Sequence, residues 1–186
     1  MAVMLRGLTL KEFLRLPEQE PALEYFNGTV TQKVAPMGEH SALQLGCALL
    51  LEHLFRPGRI ARAFPELRMT HSGASLVPDV SLYRWERIPR TPTGKIANRF
   101  VIPPDVAIEI RSPGQSIREL AEKCEWFVEN GSLLALLIDP RRETIREFRP
   151  GMPPVVRRRG DSISLDEISP GAALDVSGIF AALDLD

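Results

Sequence analysis

Cysteine is nearly absent from this chain. Cys47 and Cys124 are the only two, and both stand inside apolar, helix-spaced segments. That excludes a disulfide framework and points to two buried small hydrophobes. Lysine is scarce as well, with four residues (Lys11, Lys33, Lys95, Lys123) against nineteen arginines, so a lysine among acids is informative here. Neither charge sign is in excess: the formal net charge is -1. A general nucleic-acid binder is usually basic, so any polyanion has to be held by a local patch. No apolar run approaches the ~20 residues needed to span a bilayer. The stretch from Met1 to Lys11 lacks the apolar core and small-residue cleavage site of a secretory signal. A cytoplasmic protein with no membrane segment is the expectation.

What is present fits one globular domain over residues 1–186. Hydrophobic residues make up 44% and charged residues 25%, ordinary values for a folded chain, and the length suffices for a real core. Sixteen prolines suggest rigid loops. Thr9 and Glu12 form a capping box that starts a short helix reaching about Leu16 before Pro17. Leu23 to Val34 reads as a hairpin turning at Asn27-Gly28. His40 to Phe55 is a helix with apolar residues nearly all round, expected to be buried on most sides. A strand broken near Pro65 follows between Arg59 and Thr70, then strands at Val77 to Tyr83 and Val106 to Arg111. A second capping box, Ser116 to Glu119, opens a helix closed by Asn130-Gly131, and Leu133 to Ile138 is a strand covered on both faces. Thr144 to Arg149 and Val155 to Arg159 make a further hairpin, and Leu174 to Leu185 a short terminal helix. The alternation predicts an α/β fold with a mixed β-sheet flanked by helices, an N-terminal hairpin and a C-terminal hairpin extension.

Alternate residues of a strand share a face. Asp79 then lies with Val77, Ser81 and Tyr83, while Glu109 lies with Asp105, Ala107 and Arg111; the opposite faces are wholly apolar. A carboxylate in such a setting is costly unless it is partnered. Two of them on neighbouring strands make a hard oxygen site suited to magnesium or manganese, and their mutual repulsion is a reason for a cation to be there. The competing reading gives each acid an arginine, Arg111 or Arg68, in a structural ion pair; the two acids alone do not separate these readings.

In the helix from Ile117, the residues Ile117, Leu120, Ala121, Cys124, Phe127 and Val128 form one stripe. At roughly 100° per residue, Lys123 falls at its border rather than on the solvent face with Arg118, Glu122 and Glu129. A short loop folds this helix back over the Glu109 strand, which lets the lysine reach toward the acids. The plainer alternative is a snorkelling lysine with its head in water.

Pro78-Asp79, with Glu109 thirty positions on, resembles the PD-(D/E)XK motif of restriction-endonuclease-like nucleases. The chain is similar in particular to a branch of bacterial endonucleases in that superfamily. Six elements carry the likeness in order: Glu24 before the Asn27-Gly28 turn, Glu39-His40, Pro78-Asp79, Glu109-Ile110-Arg111-Ser112-Pro113, Lys123, and Asp139-Pro140. It extends from Leu8 to about Phe180. The resemblance implies a nuclease fold, Mg2+ or Mn2+ as cofactor, and DNA as substrate. It makes Asp79, Glu109 and the Ile110 carbonyl the metal ligands, with Lys123 orienting the attacking water and Glu24 and His40 as further candidates.

Two departures from the pattern matter. The superfamily's lysine usually sits two positions after the glutamate, where this chain has Arg111. A guanidinium cannot serve as a base but can hold a phosphate. The branch also tends to carry a tyrosine one turn after the helical lysine, where this chain has Phe127. Both departures favour the rival function, a non-catalytic DNA-binding or oligomeric interaction module that keeps the nuclease fold. Trp85 and Trp126 point to a subunit contact, hence to a homodimer or higher homo-oligomer. Arg141-Arg142 and Arg157-Arg158-Arg159 are either a backbone-gripping patch or solvated edge protection.

Overall fold

A computed structural model describes residues 5–185. Its elements in chain order are β1 (Leu5–Arg6), α1 (Leu10–Phe13), β2 (Leu23–Phe26), β3 (Thr29–Gln32), α2 (Gly38–Phe55), β4 (Ala61–Pro65), β5 (Met69–His71), β6 (Ala74–Leu76) and β7 (Val80–Arg84). They continue with β8 (Val106–Ile110), α3 (Ile117–Glu129), β9 (Leu134–Asp139), β10 (Thr144–Phe148), β11 (Val155–Arg158), β12 (Ser162–Ser164), β13 (Ala173–Asp175) and α4 (Val176–Phe180).

The central sheet runs β11-β10-β9-β8-β7-β4. All its pairs are antiparallel except β8 and β9, which run parallel and are joined through α3. The period-two pattern of the strands decides what covers each face. Val80, Leu82, Val106, Ile108, Ile110, Leu134, Leu136 and Ile138 pack with Leu43, Cys47, Leu51 and Phe55 of α2 and with α4. On the other face, Tyr83, Ala107, Ala135 and Leu137 meet Leu120, Cys124, Phe127 and Val128 of α3. Both cysteines are free and buried, as their apolar settings require.

A second sheet, β1-β3-β2-β6-β5, contains the N-terminal hairpin. The β2–β3 turn places Asn27 at φ 48° and Gly28 at φ 73°, two positive values in succession. A two-residue turn that matches the strand twist requires this, and Asn-Gly supplies it cheaply. Thr9 and Glu12 make the full capping box, whereas at α3 Ser116 accepts from the Glu119 N–H (3.4 Å).

Four expectations need correction. Helix α1 ends at Phe13 rather than near Leu16. Helix α2 is not buried on most sides: Leu45 and Leu49 are 61% and 59% exposed, because only one side meets the central sheet. The stretch expected as one strand from Val77 begins as β7 at Val80, and a separate β6 precedes it. Strands β12 and β13 were not foreseen; they pair as a small ribbon before α4. Among the described residues, no helix is long and apolar enough to cross a membrane.

Candidate active site

The register that pairs Val80 with Ile108 brings Asp79, one residue before β7, to the level of Glu109 on β8. The main-chain N–H of Ile110 donates to Asp79 Oδ2 at 2.6 Å, closing the corner between the strands. Glu24, on β2 of the second sheet, reaches the same cluster: its Oε1 accepts the Val77 N–H at 2.9 Å. Glu24, Asp79 and Glu109 are all almost fully buried.

Lysines from two other elements neutralise part of this charge. Lys123 of α3 is hydrogen-bonded to Glu24 Oε2, and its side chain is 14% exposed, so it does not snorkel into water. Lys33, immediately after β3, donates to Asp79 Oδ1 at 2.6 Å and to the Val77 carbonyl at 2.8 Å. His40, in the first turn of α2, places Nε2 3.2 Å from Asp79 Oδ2, and Gln44 donates to the Asp79 carbonyl at 3.0 Å. The Asp79 carboxylate is therefore held by three separate groups, the Ile110 N–H, Lys33 and His40, and its carbonyl by a fourth.

Glu109 is different. Its Oε1 is buried and has no hydrogen-bond partner. Burial, with the charges of Asp79 and Glu24 beside it, pushes its carboxyl up to about 8, against the pull of Lys123 and Lys33. Burial would also raise Asp79, but Lys33 and His40 outweigh it and hold that carboxyl at about 2. Burial would lower the Lys123 amine; the carboxylates of Glu24 and Glu109 more than offset this and keep it charged. Lys33 is kept charged in the same way, chiefly by Asp79 against burial.

Buried acids elsewhere show what a purely structural carboxylate looks like here. Asp105 is held by Arg84 (2.8 Å) and Arg87 (2.6 Å), and Glu147 by Arg149 (2.6 Å) and Arg157 (2.7 Å). Asp139 takes Arg111 at 3.0 Å and Arg142 at 3.5 Å. These other buried acids take arginines, while the acids of the Asp79 cluster take lysines or nothing. Arginine partners for Asp79 and Glu109 are accordingly not found: Arg111 turns to Asp139 and to the Gln115 carbonyl (3.2 Å), and Arg68 to the Leu23 carbonyl (2.9 Å).

Other expectations fare as follows. Phe127 is wholly buried under α3. Trp126 packs edge-on against Phe26, ring centroids 6.3 Å apart, and Trp85 and Trp126 both sit half-buried at the edge of this core. Glu39 is exposed, outside the cluster that His40 joins. In the arginine runs, Arg142, Arg157 and Arg159 are engaged by Asp139, Glu147, Glu143 and Asp184, while Arg141 and Arg158 are exposed and enter no such pair among the described residues. Sequence reasoning missed Lys33 and Gln44. The rarity of lysine was a usable signal for Lys33; a glutamine on a helix gave none.

A divalent ion fits the chemistry of this corner. Two carboxylates and the Ile110 carbonyl form a hard oxygen set, and the orphaned Glu109 oxygen is short of a cation. Among the described residues, no three of His, Cys, Asp and Glu converge as a ready-made cage, so the carbonyl and water would complete the coordination.

The sequence profile of the Uma2 family, described as "Putative restriction endonuclease", matches residues 10–177. The crystal structure of "a putative nuclease belonging to DUF820" from Anabaena variabilis superposes with a TM-score of 0.91 at 40% identity, covering 96% of this chain and 100% of that one. No protein with a curated description matches.

Proposed function

The chain belongs to the Uma2 family of restriction-endonuclease-like proteins, and on that premise we propose that it is a DNA endonuclease using Mg2+ or Mn2+. Restriction-endonuclease-like proteins generally use divalent metals. Asp79, Glu109 and the Ile110 carbonyl would hold the ion, which, when bound, acidifies water and polarises a phosphodiester. The observation that carries the reading is Glu109, the one buried acid of the cluster with no cation or donor of its own.

Charge balance supports it. Counting carboxylates and ammoniums alone, Glu24, Asp79 and Glu109 stand against Lys33 and Lys123, so these five side chains balance only while Glu109 keeps its proton. Adding a doubly charged ion and ionising Glu109 leaves one surplus positive charge, which matches one phosphodiester. Lys123, paired with Glu24 in the same cluster, would orient the attacking water or offset charge on the phosphate. His40 and the Ile110 N–H keep Asp79 oriented. Arg111, tied to Asp139 and the Gln115 carbonyl, would serve as a phosphate contact rather than a proton acceptor.

One observation favours the non-catalytic alternative: both oxygens of Asp79 are already satisfied from within the chain. Cleavage separates the two. Wild-type protein is expected to nick supercoiled plasmid with Mg2+ or Mn2+ and not with EDTA. Glu109→Gln, isosteric at a position with no partner to lose, is expected to remove that activity. A variant that nicks as fast as wild type would refute the assignment of Glu109.

A further inference from the structure

Asp79 already has a cation. Lys33 Nζ lies 2.6 Å from Asp79 Oδ1, 2.8 Å from the Val77 carbonyl and 3.9 Å from a Glu66 carboxylate oxygen. A carboxylate, a carbonyl and a further carboxylate around one positive centre are the kind of oxygens that a hard metal ion selects. The residue is not loosely placed: its N–H bonds the Ala22 carbonyl at 2.9 Å, anchoring the stem to the hairpin, and its side chain is 11% exposed. The two lysines of the cluster also divide the acids, Lys123 on Glu24 and Lys33 on Asp79, leaving Glu109 alone. An ion drawn to Glu109 therefore meets Asp79 already engaged.

Building on the metal-site reading above, we propose that Lys33 is a positioning residue that holds Asp79 in the metal-free protein and cedes Oδ1 when a divalent ion is taken up. Lys33 serves as an internal stand-in cation: it keeps Asp79 aimed, and it sets how tightly the site loads. The displaced amine has a destination, because Glu66 is already within 4 Å-range contact at 3.9 Å and is 48% exposed, free to move with it.

The test is Mn2+ binding by isothermal titration on full-length protein, without DNA, for wild type, Lys33→Gln and Lys33→Arg. Removing a competing charge in close contact is expected to tighten Mn2+ binding in Lys33→Gln by about tenfold or more. Arginine keeps the charge and grips a carboxylate in a fork, so Lys33→Arg is expected to bind Mn2+ more weakly than wild type. A merely structural lysine would shift both variants in the same direction, or neither, and either result overturns the proposal. Should Lys33→Gln not fold, the 15N signal of the Lys33 ammonium in wild type decides, assigned by its loss in Lys33→Arg. Mg2+ is expected to abolish its protection from solvent exchange; protection that survives saturating Mg2+ overturns the proposal. Wild type that binds no Mn2+ at all would sink the metal site itself. Normal wild-type binding with unmoved variants would sink only the role of Lys33.

Discussion

Glu109 is where this protein departs most from ordinary packing, since a buried carboxylate without a donor works against folding. Its raised value, about 8 against an ordinary 4.5, fixes the sign of a pH effect. The proton is held more tightly in the folded than in the unfolded chain, so its contribution to stability is complete below about 4.5 and is lost as pH rises through about 8. In EDTA, wild type is expected to lose thermal stability between pH 5 and pH 9 by more than Glu109→Gln, whose amide does not ionise. Melting curves of the two proteins at both pH values check this. Equal losses would mean that Glu109 is ionised at no cost, and the cluster would then have to be described differently.

The elements bring this cluster together from far apart in the chain: a hairpin strand, the start of α2, the β7–β8 corner and the middle of α3. Much of that was legible. The alternation around Asp79 and Glu109 put both acids on one sheet face, and the α3 stripe put Lys123 at its buried border. Strand patterning could not reveal that β2 lies against β6, carrying Glu24 to the Val77 N–H, because that pairing joins residues some fifty positions apart. For the same reason the hairpin pattern alone did not single out Lys33. Lys123 also changes character: as an edge lysine its loss would cost little stability, but as the partner of buried Glu24 it cannot be removed freely. Lys123→Ala is expected to abolish cleavage and to cost about 3–5 kcal/mol, the usual penalty for stranding a buried charge. Adding Glu24→Gln should recover part of that stability in denaturant unfolding but none of the activity. An alanine variant as stable as wild type would show that Glu24 does not depend on Lys123.

For the whole molecule, the near-zero net charge and the internal pairing of the arginine runs limit how DNA can be held. Binding measured with a catalytically silent Glu109→Gln protein is expected to weaken as salt rises, with a slope equivalent to about two to four phosphates. A much steeper slope would require a larger basic surface than the few arginines of these runs left outside ion pairs, Arg141 and Arg158, supply. The corner formed by Asp79 and Glu109 is tested most directly by an anomalous-difference map from crystals grown with Mn2+. The expected result is a single strong peak touching Asp79, Glu109 and the Ile110 carbonyl, with Lys33 moved off Asp79. Crystals of protein that cleaves DNA with Mn2+, yet show no manganese at that corner, would contradict it.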